Sequence, residues 1–327
     1  MTKILCVGDI HATEKPPANC TETYLDDLIE MLGWTAEFAR TNEVDAVVWA
    51  GDVFHHKSPG KTPHSLVLKM IEVVRAYEGR LWIVAGNHDL SNDVLDTLRV
   101  KQPLGVLLAA GAHELRGWHP SLPLYGVPWQ QDWTTDTAAA LDRSFAGWRG
   151  DGEEPVPAFD ASKCLVVTHA PVYPPEQVER GVPFDLVPTA ALAEAMGGAG
   201  SLYYGHIHED HGIYEVGGVT FANVGAISRG SLHEYNLARE VKVALWSEAG
   251  FTQIPVPHRP AAEVFRLERA QESKDARLDL EDFLVRAGSA TLDITSTSSV
   301  IAHLRSRDDL DPLVRERAVM LLEAADA

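Results

Sequence analysis

The segment VVWAGDVFHHKSPG, Val47 to Gly60, contains the pattern that indicates the fold class of this chain. Its first residues form an apolar run with the β-branched and aromatic content of a buried strand. The run ends at Gly51-Asp52, and an aromatic residue and two adjacent histidines follow. A carboxylate close to imidazoles at a strand end raises the question of whether other strands of the chain end in the same way.

Four further apolar runs do end in polar residues of this kind. They are KILCVGDIH, ending at Asp9 and His11; RLWIVAGNHD, at Asn87 and His88; KCLVVTHAP, at His169; and SLYYGHIHED, at His206 and His208. Amphipathic patterns such as TYLDDLIEMLGWTAEFART lie between several of these runs and predict helices. Strands that alternate with helices favour an α/β fold, in which ligands bind beyond the carboxyl ends of the strands.

The rest of the chain predicts a large first domain and a small second one. LPLYGVPW predicts a strand, TTDTAAALDRSFAGW a helix, and HGIYEVGG, VTFANVGAISRG and VKVALW an antiparallel meander. The prolines of IPVPHRP predict a domain boundary, so we divide the chain into residues 1–255 and 256–327. The second part predicts a strand, AEVFRLE, followed by two or three helices (LDLEDFLVRAG, SSVIAHLRSR and DPLVRERAVMLLEAA).

Composition excludes several classes of protein. Hydrophobic residues make up 45% of the 327, enough for a sizeable core, but no stretch approaches the roughly 20 apolar residues of a membrane span. The N-terminal sequence does not resemble a signal peptide, and the three separated cysteines suit a reduced cytoplasmic protein. The net charge is −19, of which −15 falls on the first 255 residues. This charge argues against a protein that coats nucleic acid, and bound cations would offset part of it.

The polar strand ends together offer enough ligands for two metal ions. Asp9 and His11 are two residues apart in an extended segment, so their side chains leave on the same side, and His206 and His208 repeat this spacing. The seven candidate ligands are Asp9, His11, Asp52, Asn87, His169, His206 and His208. One such residue alone is usually a helix cap or a satisfied polar group, but five strand ends in a row favour a metal site.

Seven ligands exceed one tetrahedral site but suffice for two ions that share a carboxylate. Asp52 is the natural bridge, because its two oxygens can hold two cations about 3.5–4 Å apart. Mixed imidazole, carboxylate and amide ligands suit manganese, iron or zinc and argue against a calcium cage. We expect two divalent ions, with manganese favoured and iron, zinc or magnesium as alternatives.

Five short blocks, GDIH, GDVF, GNHD, THAP and GHIH, resemble in this order the signature blocks of the calcineurin-like metallophosphoesterases. The resemblance covers roughly the first 235 residues. It implies a sandwich of two mixed β-sheets flanked by helices, here with a small α-rich C-terminal appendage. It also implies that one metal is held by Asp9, His11, Asp52 and His208, and the other by Asp52, Asn87, His169 and His206.

The same resemblance gives His88 a role outside the metal ligands. His88 would contact the phosphate and protonate the leaving oxygen. Hydrolysis of a phosphoester needs a hydroxide near neutral pH, cancellation of phosphoryl charge and a proton for the leaving group. Two cations meet the first two needs, and an imidazole with a pKa near roughly 6.5 meets the third.

Within this superfamily the chain resembles the SbcD-type DNA repair nucleases rather than the protein phosphatases. GDVFHHKSPGKTPHSLV and NVGAISRGS are similar to blocks of those nucleases, although Val224 replaces a proline. His55 matches a histidine that they often carry near the site, whereas His56 is expected at the surface. Arg229 is predicted to contact substrate phosphate, with an internal loop salt bridge as an equal alternative.

The resemblance also implies partners. SbcD-type proteins act on DNA and join an SMC-like coiled-coil ATPase through helices that follow the nuclease domain. Only about 70 residues remain here, so the DNA-binding cap is reduced or absent, and the last helices are either a partner-binding face or ordinary packing. A homodimer is a further possibility that the sequence does not decide. Two alternatives remain: a phosphodiesterase for cyclic or other small nucleotides, and a non-catalytic binding module on the same scaffold.

Overall fold

A computed structural model describes residues 1–90, 97–150, 159–178, 186–231, 234–268, 301, 304–305 and 315–320. The chain forms two compact units, Met1–Leu267 and Glu268–Ala327. In the second unit, residues 315–320 are helical. The first unit carries all seven predicted metal ligands.

The first unit contains two mixed β-sheets of six strands each, as predicted. The strands are β1 (Lys3–Val7), β2 (Ala46–Trp49), β3 (Leu81–Ile83), β4 (His113–Glu114), β5 (Gly117–Trp118), β6 (Leu124–Val127), β7 (Leu165–His169), β8 (Ser201–Gly205), β9 (Asp210–Val216), β10 (Val219–Val224), β11 (Lys242–Ser247) and β12 (Gly250–Pro255). The first sheet has the order β12-β11-β1-β2-β3-β4, and the second has the order β5-β6-β7-β8-β10-β9. Strands β1 to β4 pair in parallel, as do β6, β7 and β8.

Alternation along the strands builds the core between the sheets. In β1, Ile4 and Cys6 belong to a buried cluster that also contains Leu165 and Val167 of β7. Leu5, on the opposite face of β1, packs in the cluster that covers the outer side of the first sheet. Successive side chains of a strand point to opposite faces, so a buried strand contributes to two apolar layers.

Helices flank both sheets. In the described residues of the first unit the helices are α1 (Tyr24–Thr41), α2 (His64–Ala76), α3 (Leu98–Lys101), α4 (Pro103–Ala109), α5 (Thr137–Arg149), α6 (Pro175–Val178), α7 (Thr189–Ala195), α8 (Glu234–Ala238) and α9 (Ala261–Val264). Residues of α1, α2 and α4 pack in the core of the first sheet, and residues of α5 and α7 pack in that of the second. Helix α1 is amphipathic, with Leu28, Met31 and Leu32 on its buried side.

Two sequence predictions about local structure are wrong. The predicted meander is divided between the sheets, because β9 and β10 pair with each other while β11 pairs antiparallel to β1. The first three residues of the predicted strand AEVFRLE instead belong to helix α9, and Phe265 makes an isolated bridge to Cys20. Pro260 precedes this helix and starts it, since its fixed φ suits the beginning of a helix.

The boundary between the units also differs from the predicted one at residue 255. Val256, Val264 and Phe265 are buried in the core of the first sheet, so residues 256–267 belong to the first unit. The helix predicted in LDLEDFLVRAG lies outside the described residues, as do most residues of the two that follow it. The three cysteines are free and buried, as expected for packing thiols. None of the helices in the described part of the chain is long and apolar enough to cross a membrane.

Candidate metal centre and active site

The predicted ligands lie at neighbouring strand ends of the two sheets. Asp9, Asp52 and Asn87 follow β1, β2 and β3, which are adjacent and parallel, so their carboxyl ends meet at one edge. From the second sheet, His169 is the last residue of β7 and His206 follows β8 directly. The face-to-face packing of the sheets brings the ligands of the first sheet close to those of the second.

Three of the site residues have left-handed backbone conformations. The φ angles are 47° for His11, 50° for Asp52 and 79° for His206, a region that non-glycine residues rarely adopt. Hydrogen bonds between the two loops hold part of this geometry: the His11 amide donates to the Asp52 carbonyl (2.8 Å), and the Ala12 amide to that of Val53 (2.9 Å). Strain of this kind persists where the surrounding structure fixes it, which is typical of functional sites.

Two glycines are required by the crowding around Asp52. A Cβ atom at Gly86 would lie less than 3.0 Å from the Asp52 carboxylate and main chain. A Cβ atom at Gly51, which has φ +105°, would lie less than 3.0 Å from the His169 ring. These contacts explain why the motifs read Gly-Asp and Gly-Asn: the main chain of one strand end touches the functional side chain of the next.

The first group of ligands surrounds one oxygen of Asp52. The Nε2 atoms of His11 and His208 are 2.9 Å apart, and His11 Nε2 is 3.5 Å from Asp52 Oδ2. His208 Nε2 lies 4.0 Å from Asp9 Oδ1. The other oxygen of Asp9 is buried and has no hydrogen-bond partner. A buried carboxylate oxygen without a partner, beside converging imidazole nitrogens, fits a site for a cation.

The second group surrounds the other oxygen of Asp52. Asn87 Oδ1 is 3.1 Å from both His169 Nε2 and His206 Nδ1, and His169 Nε2 is 3.5 Å from Asp52 Oδ1. The Nδ1 of His169 contacts the Ala50 carbonyl at 2.6 Å and donates to it, which leaves Nε2 free as a ligand. Asp52 therefore presents one oxygen to each group, as a bridging ligand would.

Burial and charge perturb the pKa values in this site. Burial raises the pKa of Asp9, which is fully buried. Burial opposes the ionised form of Asp52 as well, but the charges of His169 and His11 hold its pKa well below the usual range. Burial likewise opposes the charged form of His169, but Asp52 and Asp9 raise its pKa to about 9, whereas burial and His169 lower that of His206 to about 3. Protons thus balance the buried carboxylates, and divalent cations would replace them.

His88 and His55 are also in this group. The His88 amide donates to Asp52 Oδ1 (2.7 Å), and its Nδ1 contacts the His55 carbonyl at 2.6 Å. Donation from Nδ1 leaves Nε2 available to a substrate. The His55 ring lies 5.7 Å from the ring of His11, and burial lowers the pKa of His55. His56 is half-buried and lines a separate surface cavity with Lys61.

Arg229 does not reach the site. Its side chain is 2% exposed, and its guanidinium donates to Asp27 (2.8 Å) and to the carbonyl of Arg259 (2.7 Å). The structure favours the internal salt bridge over the predicted contact with substrate phosphate. A charged group that already pairs with a buried carboxylate cannot turn to a ligand without leaving that carboxylate unpaired.

The structure adds three residues to the site that were not among the predicted site residues. Asp89 accepts from the amides of Val53 and Gly86, 2.9 Å each, and so joins two of the ligand loops. The ring of Trp129 lies 4.9 Å from the ring of His206. The hydroxyl of Tyr24 donates to the His11 carbonyl at 3.1 Å. The GNHD block was a signal for Asp89, but nothing in the sequence indicates the other two.

A cavity of about 250 Å³ opens over the ligands. It is lined by His11, Tyr24, Asp52, His55, Asn87, His88, His206, His208, Ser228, Gly230 and Ser231. Ligands of both groups face this cavity, and so does His88. A group bound there would meet any bound cations and the imidazole of His88 together, which is what hydrolysis of a phosphoester requires.

Comparison with known proteins agrees with this geometry. The family profile described as calcineurin-like phosphoesterase matches residues 2–210. The DNA double-strand break repair protein Mre11 of Archaeoglobus fulgidus is 26% identical over 213 residues, which are 64% of this chain and 46% of that protein. The chain thus spans less than half the length of this relative. A crystal structure aligns over 78% of this chain and 99% of its own length, with a TM-score of 0.46 and 10% sequence identity.

The profile match and the fold point to the same enzyme class. The matched residues include both groups of candidate ligands and His88, and His/Asp groups able to bind metal lie together at the strand ends. Two six-stranded mixed sheets flanked by helices are the fold that the resemblance implied. The chain belongs to the calcineurin-like phosphoesterase family.

Proposed function

We propose that this protein is a two-metal phosphodiesterase that cleaves DNA, as the nuclease subunit of an SbcD-type repair complex in the cytoplasm. The observation that carries the two-metal part is the position of Asp52, with one oxygen toward each group of ligands. The DNA part is supported by the SbcD-like blocks and by the relative, which is named a DNA double-strand break repair protein.

Each residue has a defined part in the proposed reaction. Asp9, His11, Asp52 and His208 would hold one cation, and Asp52, Asn87, His169 and His206 would hold the other. Bound divalent cations cancel phosphoryl charge and lower the pKa of water, and the ligand set favours manganese. His88 donates its Nδ1–H to the His55 carbonyl, and in the imidazolium form it carries on Nε2 the proton that passes to the leaving oxygen, which leaves a neutral imidazole. His55 supports the orientation of His88 through its main chain, and its ring lines the cavity.

A small-nucleotide phosphodiesterase is the second candidate. The net charge of −19 favours it, because a negative protein repels a long polyanion more than a mononucleotide. Both candidates use the same metal centre and His88. They differ only in the part of the substrate that lies beyond the phosphate, which is a long DNA chain in one case and a small nucleotide in the other.

Substitution of Asp52 tests the shared bridge. Asp52→Ala should remove metal from both groups and abolish hydrolysis. Because Asp52 has φ +50°, where Asn is better tolerated than Ala, Asp52→Asn is the variant that better preserves the fold. Its single side-chain oxygen can serve only one cation. Metal analysis by mass spectrometry checks the result, with Asp26→Ala on the exposed side of α1 as the control. Two full equivalents of metal in both variants would refute the bridge.

Substitution of His88 tests the proton donor. His88→Gln should retain metal but lower kcat on the order of 10²–10⁴-fold, the usual contribution of general acid–base catalysis. The loss should be smaller for nitrophenyl esters, whose leaving group needs no proton. His88 also lies within reach of His11 and Asp52 as a potential ligand, so metal content is measured as well. Loss of metal, or equal losses of rate for nitrophenyl and alkyl esters, would contradict the role; His64→Gln at the surface is the control.

One assay separates the two candidate functions. Purified protein with Mn²⁺ is offered linear DNA, cyclic AMP and bis-p-nitrophenyl phosphate, and kcat/KM is compared. A DNA nuclease should degrade the linear DNA, and His88→Gln should slow this cleavage, which excludes a contaminating nuclease. Rapid hydrolysis of cyclic AMP with no cleavage of DNA would instead favour the small-nucleotide enzyme.

The SMC-like ATPase is proposed to bind the C-terminal unit, Glu268–Ala327. Val319 is buried and Met320 is 53% exposed within the helical residues 315–320, so this helix has apolar residues on more than one side. A chain that ends at Leu267 should retain hydrolysis of small diesters but lose binding of the ATPase and processive cleavage of DNA. Equal degradation of long DNA by the shortened and full chains would show that the unit is not needed for this purpose.

A further inference from the structure

One wall of the catalytic cavity belongs neither to the metal ligands nor to His88. Residues 228–231, here called the wall segment, follow β10, and three of them line the cavity: Ser228, Gly230 and Ser231. Their side chains are small, so the position of their main chain sets the width of the cavity. What holds this segment in place therefore decides which groups fit beside the phosphate.

Hydrogen bonds hold the two ends of the wall segment, and in one of them the donor is a charged guanidinium. The Ser228 amide and hydroxyl both lie 3.4 Å from the Asp9 carbonyl, and the Ser228 carbonyl accepts from Arg239 at 2.7 Å. The side-chain amide of Asn236 donates to Ser231 at its carbonyl and hydroxyl oxygens, 2.8 Å each. These contacts fix the two ends of the segment. In its middle the Cys20 thiol is a weak donor to the carbonyls of Arg229 (3.5 Å) and Gly230 (3.8 Å), and the stronger contacts are those of the Arg229 side chain.

Arg229 fastens the middle of the segment through an ion pair in the protein interior. Its guanidinium is 2.8 Å from Asp27 Oδ2, and each of the two side chains is 2% exposed. Asp27 lies in the first turn of α1, and its other oxygen accepts from the Arg259 amide at 2.8 Å. Arg229 donates in turn to the Arg259 carbonyl at 2.7 Å, and its guanidinium is 5.9 Å from the centre of the Phe265 ring.

The same helix also contacts the metal side of the cavity. Tyr24, three residues before Asp27, donates its hydroxyl to the His11 carbonyl and lines the cavity beside the wall segment: a Cβ atom at Gly230 would lie 3.5 Å from the Tyr24 hydroxyl. Helix α1 thus fixes a metal-ligand loop through Tyr24 and the wall through Asp27. A buried charged pair has a narrow range of favourable geometries, so it positions more strictly than apolar packing alone.

We propose that Asp27 and Arg229 are positioning residues: their buried ion pair fixes the wall segment and thereby the space for the group esterified to the phosphate, without contact to the substrate. This proposal rests on the proposed phosphodiesterase function for its kinetic consequence only. Its structural consequence, an immobile wall segment, holds for any substrate. The role differs from the predicted phosphate contact of Arg229, since the arginine acts through the main chain that it anchors.

The test uses the full chain with Asp27→Asn and Arg229→Met combined. The two changes remove both charges while the asparagine oxygen still accepts from the Arg259 amide, so no buried charge is left unpaired. Hydrogen–deuterium exchange should become faster at the amides of residues 228–231. For a phosphodiester that the wild type hydrolyses, KM should rise on the order of 10-fold or more, since misplacement of a positioning group by about 1 Å can cost roughly 10²-fold.

Two measurements distinguish positioning from general destabilisation. The inhibition constant of inorganic phosphate and the metal content should not change, because phosphate alone has no esterified group to meet the wall. Glu37→Gln with Arg40→Gln removes an exposed pair from the same helix and should alter none of these quantities. A fall in kcat at constant KM, with unchanged exchange in the wall segment, would overturn the proposal.

A milder variant covers the case in which the double variant does not fold. Arg229→Lys keeps the charge beside Asp27 but loses the planar fork that also reaches the Arg259 carbonyl. Exchange in the wall segment and KM should both rise, by less than in the double variant, and no change in either would contradict the proposal. If the wild type hydrolyses no phosphodiester, the proposed function fails, while the exchange measurement still decides whether the ion pair fixes the wall.

Discussion

The Asp52 carboxylate is a negative charge that the fold holds in its interior with almost no access to water. It is 2% exposed, has a left-handed main chain and is surrounded by His11, His169 and the amide of His88. A buried charge costs several kcal/mol unless opposite charges and hydrogen bonds offset it. The neighbouring loops must therefore approach closely, which accounts for the glycines beside Asp52 and Asn87 and for the donors aimed at its oxygens. Much of the local sequence follows from this one requirement.

The two-sheet architecture is what meets this requirement from both sides. A single parallel sheet would bring Asp9, Asp52 and Asn87 to one edge but would leave one oxygen of Asp52 facing solvent. The second sheet contributes His169 and His206 from the strand ends β7 and β8. The distance between the ligands of the first sheet and those of the second depends on the core between the sheets, in which side chains such as Cys6 and Val167 pack. Interiors pack as densely as crystals, so this core keeps the ligands at a fixed separation.

The sequence was sufficient for the parts of the site that depend on strand ends. A buried strand has a clear pattern, and parallel neighbours share an edge, so Asp9, Asp52 and Asn87 could be placed together without a structure. That His169 of the second sheet joins them was implied by the family resemblance. The sequence was insufficient for features that depend on contacts between residues far apart in the chain. Strand β11 looks like the next strand of a meander, but its apolar faces are satisfied next to β1. Arginine is a residue type that commonly binds phosphate, so the sequence pattern suggested that role for Arg229. Only the structure shows that Arg229 forms an ion pair with Asp27, which is 202 residues away in the sequence.

The distribution of charge separates the chemistry of the site from the question of how a substrate arrives. The ligand set is acidic and buried, so two divalent cations would make the cavity attractive to a phosphate at short range. They would add only four positive charges to a chain of −19, and the surface would remain negative. Long-range steering of a polyanion depends on that surface and is screened beyond roughly 8–10 Å at physiological salt. If the proposed function is correct, the metal centre needs only short-range attraction to hydrolyse a small diester, whereas efficient capture of long DNA would require positive surface from elsewhere, as a partner subunit would provide.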